Sequence, residues 1–231
     1  MYKMNRSIVP ALMLAGVLAG CASAPPYTPE PFTPITLEPT AYTKKVDNFV
    51  IILDSSSSMN ERHQGNEKFL YAKDIVSRMN QTIPPLDYQA GLVVFGSGGC
   101  LDWKYSKLVY GMTPYTQSGL ASSLDALECA SGITPLSEGV DRADAALDGS
   151  SGEIAVIIVS DFEQADPPRV LDAVDNLKSN YGDRVCVYSI HIDRDRGARK
   201  LADQIDHVSG CGFATNADEI VTPEAMADYV T

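Results

Sequence analysis

The sequence predicts an α/β fold, a doubly wound and mostly parallel central sheet with helices on both faces. Three observations carry that expectation. Residues 49–53 and 154–159 are continuous apolar runs, the mark of strands buried on both sides. Between such runs lie segments with apolar residues at helical spacing, such as Phe69, Leu70, Ile75, Val76 and Met79. The two patterns alternate along residues 46–231, and alternation of this kind builds a parallel sheet.

The elements follow in order. Residues 49–53 form the first strand. A helix over 66–80 comes next, and Pro84-Pro85 closes that unit, because proline lacks the N–H a helix needs. Residues 89–95 are a second apolar strand, ended by Gly96-Ser97-Gly98-Gly99. Leu108, Val109 and Tyr110 make a short third strand. Helices are read over 118–129 and 136–147, the second with the better apolar stripe. Residues 153–160 are the clearest strand in the chain. A helix over 168–178, a strand over 184–192, a helix over 198–208, a strand over 212–215 and a helix over 223–230 complete the pattern. Ligands of such sheets bind beyond the carboxyl ends of the strands, where the strand order reverses.

Composition narrows the function. The chain has 231 residues, 45% of them hydrophobic, which is enough for a real core and excludes wholesale disorder. Thirty acids against 18 bases give a net charge of −12, and no Lys/Arg cluster offers a nucleic-acid-binding face. No GxSxG, P-loop or GxGxxG motif is present. Asp193-x-Asp195-x-Gly197 is not an EF-hand loop, because Gln204 stands where the closing acid belongs.

Residues 1–20 read as a secretory signal, with Lys3 and Arg6 ahead of the apolar run 8–19. The end of this segment, Leu18-Ala19-Gly20-Cys21, resembles the lipobox of bacterial lipoproteins. That resemblance implies cleavage before Cys21 and lipid attachment to its sulfur. With Ala22 following, it implies a cell-envelope location, at the outer membrane facing the periplasm. Removing residues 1–20 takes away two bases and no acids, so the net charge moves from −12 to −14. The membrane hold then comes from acyl chains and not from surface charge. Residues 21–45 are expected to be a lipidated cysteine and a tether. Six prolines between 25 and 39 favour an extended chain, which at ~3.1 Å per residue spans roughly 70 Å.

The first strand runs into Asp54-Ser55-Ser56-Ser57-Ser58. This resembles the DxSxS motif of von Willebrand factor A (VWA) domains. Gly132-Ile133-Thr134-Pro135-Leu136 matches the Gly-x-Thr-Pro-Leu loop of that family, and Ser160-Asp161 ends the strongest strand, where the family places its second aspartate. The resemblance covers residues 46–231 and implies the Rossmann-like VWA fold with a metal-ion-dependent adhesion site. Asp54, Ser56, Ser58, Thr134 and Asp161 are its candidate metal ligands. Five hard oxygen donors suit Mg²⁺, or Mn²⁺ or Ca²⁺. By the same resemblance, an open coordination position takes a carboxylate from a protein partner. His191 and Asp193 end a strand beside this site and fit either its rim or a structural or solvated role. Trp103, Tyr105, Tyr110 and Tyr115 fit either a partner face or half-buried packing.

After Cys21, four cysteines remain, and in an exported protein they suggest two disulfides with three possible pairings. Topology favours one pairing. Cys186 and Cys211 lie near the starts of neighbouring strands, while Cys100 and Cys129 lie in connections at the opposite, metal-bearing end. The expectation is therefore Cys100–Cys129 and Cys186–Cys211. The functional expectation is a lipid-anchored, non-enzymatic module that binds a protein through a divalent ion. The alternatives are a structural subunit in which metal only stiffens loops, and a metal-dependent hydrolase using Asp54 and Asp161.

Overall fold

The computed structural model describes residues 27–98, 102 and 104–231. The signal-like segment, Cys21, Cys100 and Trp103 fall outside the described residues.

The main sheet has six strands: β1 (Asn48–Asp54), β4 (Gln89–Phe95), β5 (Ser106–Pro114), β6 (Ile154–Ser160), β7 (Val185–His191) and β8 (Ala214–Asn216). A separate small hairpin pairs β2 (Arg62–His63) with β3 (Asn66–Glu67). Strand order in the main sheet is β5-β4-β1-β6-β7-β8. Every neighbouring pair is parallel except β4 with β5. The chain builds outward from β1 to β4 and β5, then returns to the other side of β1 with β6. The reversal therefore falls between β1 and β6, so this is where a ligand crevice is expected.

Helices α1 (Lys68–Thr82), α2 (Gln117–Asp125), α3 (Leu136–Ala146), α4 (Pro167–Tyr181), α5 (Arg196–Ser209) and α6 (Pro223–Val230) cover both faces. Strand β1 divides its side chains between them, as the two-residue period requires. Phe49, Ile51 and Leu53 join α1, α2 and α6 in one core, and Val50 and Ile52 join α3, α4 and α5 in the other. Both β1 and β6 are buried along their whole length, which is why their sequences show no polar alternation.

Local chemistry sets the boundaries. Helix α1 starts at Lys68, two residues later than its apolar spacing predicts, because Asn66 and Glu67 are used in the hairpin. Helix α2 stops at Asp125. Strand β5 is longer than expected and sits at an antiparallel edge, with irregular register opposite residues 90–93. Asp195 caps α5 by accepting hydrogen bonds from the Gly197 and Ala198 amides at 2.7 and 2.9 Å.

The described part of the proline-rich segment does not stand free as a tether. Tyr27 donates a hydrogen bond to Asp74 at 2.8 Å, and Arg78 donates one to the Glu30 carbonyl at 3.1 Å. The Arg78 guanidinium lies over the Phe32 ring at 4.9 Å, and Leu37 is buried. Tyr27, Phe32 and Leu37 sit between the prolines and give the extended chain apolar anchors on α1. The sequence reading counted the prolines and passed over these side chains.

Candidate metal centre

Asp54 ends β1 and Asp161 follows β6 directly, so neighbouring parallel strands deliver both carboxylates to one edge of the sheet. Both side chains are wholly buried. Asp54 Oδ1 accepts a hydrogen bond from the Ser56 amide at 2.8 Å, and its Oδ2 accepts one from the Ser160 hydroxyl. The Ser56 and Ser58 hydroxyls are 3.1 Å apart. Ser58 Oγ in turn donates to Asp161 Oδ1 at 3.1 Å. The Ser56 amide and the Ser56 and Ser58 hydroxyls thus link the two strand ends.

The third loop is clamped against the first by backbone bonds. The Ser57 amide donates to the Gly132 carbonyl at 2.9 Å, and the Ser131 amide donates to the Ser55 carbonyl at 2.7 Å. Gly132 has φ +78°, and a Cβ built there would stand 1.3 Å from the Ser97 carbonyl oxygen, so only glycine fits. Two residues on, Thr134 is nearly buried, while Ile133 beside it is 58% exposed.

Electrostatics separates the two carboxylates. Burial, and then the charge of Asp161, push Asp54 up to about 7, against the opposing pull of its hydrogen bonds from Ser160 and Ser56. Asp161 has a cation instead. Lys68, the first residue of α1, is 1% exposed and places its ammonium 3.1 Å from Asp161 Oδ2. The same nitrogen lies 2.8 Å from Glu163, 2.9 Å from Asp193 and 3.3 Å from Glu61. Burial works against the Lys68 charge, but Glu163, Asp193 and Asp161 outweigh it and hold the ammonium well above the ordinary lysine range. A turn with positive φ at Phe162 and Gln164 brings Glu163 back toward this group, and the Glu163 amide donates to Asp161 Oδ1 at 3.0 Å.

The profile of the von Willebrand factor type A domain matches residues 49–164, the segment that holds all five candidate ligands. This chain belongs to that family. Protein YwmC of Bacillus subtilis (strain 168), described only as uncharacterized, is 25% identical over 208 residues, 86% of each chain. Among solved structures, the von Willebrand factor type A protein of Catenulispora acidiphila superposes with a TM-score of 0.57 at 19% identity. The match covers 81% of this chain but only 42% of that one. The vWF domain of the type V pili tip protein Mfa5 from Porphyromonas gingivalis gives 0.58 at 12% identity, over 81% of this chain and 95% of its own. Manganese-loaded TRAP protein of Plasmodium vivax gives 0.54 at 14%, over 81% and 74%. At these identities the likeness is one of fold. VWA domains typically serve as protein-interaction modules, and they often bind a divalent metal.

The donor set of this VWA domain fits a hard divalent cation. Its members are hydroxyl and carboxylate oxygens, and among the described residues no cation pairs with the buried Asp54 carboxylate. Only two of the five candidates are carboxylates, and among the described residues no group of three His, Cys, Asp or Glu side chains is disposed to hold an ion.

Other expectations resolve residue by residue. Cys186 and Cys211 are disulfide-bonded, as the topology argument required. Cys129 is disulfide-bonded too, and its expected partner, Cys100, lies outside the described residues, as does the lipidation candidate Cys21. His191 is a structural tie: its Nδ1 lies 3.0 Å from Asn216 Nδ2 and 2.8 Å from the Asp193 carbonyl. Tyr110 and Tyr115 are packing residues, Tyr115 donating to Asn80 Oδ1 at 2.8 Å. Sequence reasoning missed Lys68, Glu61, Glu163 and Ser160. His63 meets Asp218 at 2.9 Å, next to Tyr71 and Arg194. Burial acts to raise Asp218, but hydrogen bonds from His63, Tyr71 and Arg194 hold it below the usual carboxylate range.

Proposed function

We infer that this chain is a lipid-anchored VWA domain of the bacterial cell envelope that grips a protein partner through a divalent ion held by Asp54, Ser56, Ser58, Thr134 and Asp161. The observation that carries the reading is the run of buried contacts from Asp54 to the Ser56 amide, and from the Ser56 hydroxyl through Ser58 to Asp161, at the strand ends where strand order reverses. A bound Mg²⁺, Mn²⁺ or Ca²⁺ supplies an electrophilic position for a carboxylate oxygen of the partner. The protein's own part is to fix the donors and exclude water. Ser160 and the Ser56 amide orient Asp54, and the Gly132 loop positions Thr134. The exposed Ile133 beside Thr134 offers the partner an apolar contact at the rim. In this reading Cys21 carries the lipid, the domain faces the periplasm from the outer membrane, and no reaction is catalysed.

The test is capture from envelope extract, using wild type and Asp54→Ala, each with Mg²⁺ and with EDTA. The expected outcome is capture by wild type with Mg²⁺ alone. Equal capture in all four arms removes the metal-bridging reading, and capture that survives EDTA points to a structural subunit. Cys21→Ser should shift the protein from the membrane to the soluble fraction.

A further inference from the structure

Lys68 has no place in the five-ligand site, yet it is among the most completely buried large side chains in the protein. Four carboxylates from three separate segments converge on its nitrogen. Glu61 comes from the turn ahead of β2, Asp161 and Glu163 from the loop after β6, and Asp193 from the loop after β7. The distances, 2.8–3.3 Å, are those of charge-assisted hydrogen bonds. Three of these acids are otherwise costly neighbours for the buried Asp161, because like charges crowded together repel. A lysine ammonium is a compact point charge on a flexible stem, which suits it to fill a cation position among several oxygens.

We propose that Lys68 is a positioning residue that acts as a tethered cation beside the metal centre. Its ammonium takes the position of a second divalent ion and pins Asp161 Oδ2, which leaves Asp161 Oδ1 facing Ser58 and the first ion. The proposal deepens the metal reading, because it makes this VWA site a single-ion site by construction. It also assigns the acidic ring of Glu61, Glu163 and Asp193 to the lysine, and not to the partner. With the ammonium present the ring holds no free cation position. Without it, four carboxylates surround one point with no counter-charge.

The experiment compares wild type with Lys68→Met, a side chain of similar length without the charge. Manganese bound per chain is measured by equilibrium dialysis with metal analysis. Thermal melting is followed in EDTA and in Ca²⁺. The expected result is one more manganese per chain in Lys68→Met than in wild type. Its melting temperature should fall in EDTA and recover in Ca²⁺ by much more than that of wild type. Equal ion counts in the two proteins overturn the proposal, and so does a Lys68→Met chain that stays unfolded in both conditions. The two readings fail separately. A wild type that binds no manganese sinks the adhesion site, while the difference between the proteins alone decides the role of Lys68.

Discussion

Asp54 and Asp161 occupy matching places at the ends of adjacent strands, and both are removed from water, yet they are stabilised by opposite means. Among the described residues Asp54 is held by dipoles alone, a serine amide and a serine hydroxyl, and it faces the charge of Asp161. Asp161 has a full positive charge as well as a hydroxyl and an amide. Burial and the neighbouring carboxylate push Asp54 up to about 7. One half of the site is thus complete within the chain, and the other is left short of positive charge. A divalent ion would act mainly on the Asp54 half.

The contrast breaks most visibly at Lys68. Removing one partner of a buried ion pair leaves an uncompensated charge, so Lys68→Met should lose about 3–5 kcal/mol of stability in EDTA. Asp54→Asn, in the other half, should change it by no more than ~1 kcal/mol, because the lost hydrogen bonds are offset by relief of a buried charge. Urea unfolding of both variants in EDTA measures the gap, and equal losses would erase the distinction.

Next in size is a control at the opposite end of the sheet. Opening the Cys186–Cys211 bridge, which spans a sequence separation of 25, should cost roughly 3 kcal/mol. Manganese affinity, read by titration calorimetry on Cys186→Ser/Cys211→Ser, should stay at its wild-type value.

A smaller effect belongs to the link between the halves. Ser58→Ala removes the hydroxyl that reaches both Ser56 and Asp161. A hydrogen bond to a carboxylate is worth about 1.5 kcal/mol, and urea unfolding in EDTA should show a loss of that order.

The last effect is in pH. Asp54 must lose its proton to take an ion, so manganese affinity should fall roughly fivefold from pH 7 to pH 6 and approach about tenfold per further unit. Without metal the sign reverses. The folded state holds the proton of Asp54 more tightly than the unfolded chain, where the group titrates near 3.8. The Asp54 share of stability is therefore fully present below about 4 and is lost as pH rises through about 7. Denaturation in EDTA across that window, with Asp54→Asn as the reference, should show the slope in wild type and its absence in the variant.

The legible parts of this protein were those written within a few residues. Buried parallel strands need apolar side chains on both faces, so β1 and β6 announced themselves, and the DxSxS turn marked its own strand end. The Cys186–Cys211 pair followed from strand order. Lys68 was opaque because nothing near it in sequence calls for a buried charge. Its four partners arrive from three loops, and on the helix it reads as one more polar position. The docking of residues 27–37 was hidden for a related reason. Proline density describes backbone shape, while the contacts with Asp74 and Arg78 depend on a helix that folds much later in the chain.

Arg78 binds the Glu30 carbonyl on one side and the Val221 carbonyl, just ahead of α6, on the other. A tug on the chain upstream of Tyr27 therefore loads α1 through Asp74 and Arg78 before it reaches the first strand. The helix that takes this strain begins at Lys68, so tension on the upstream chain and the seating of Asp161 share one lever.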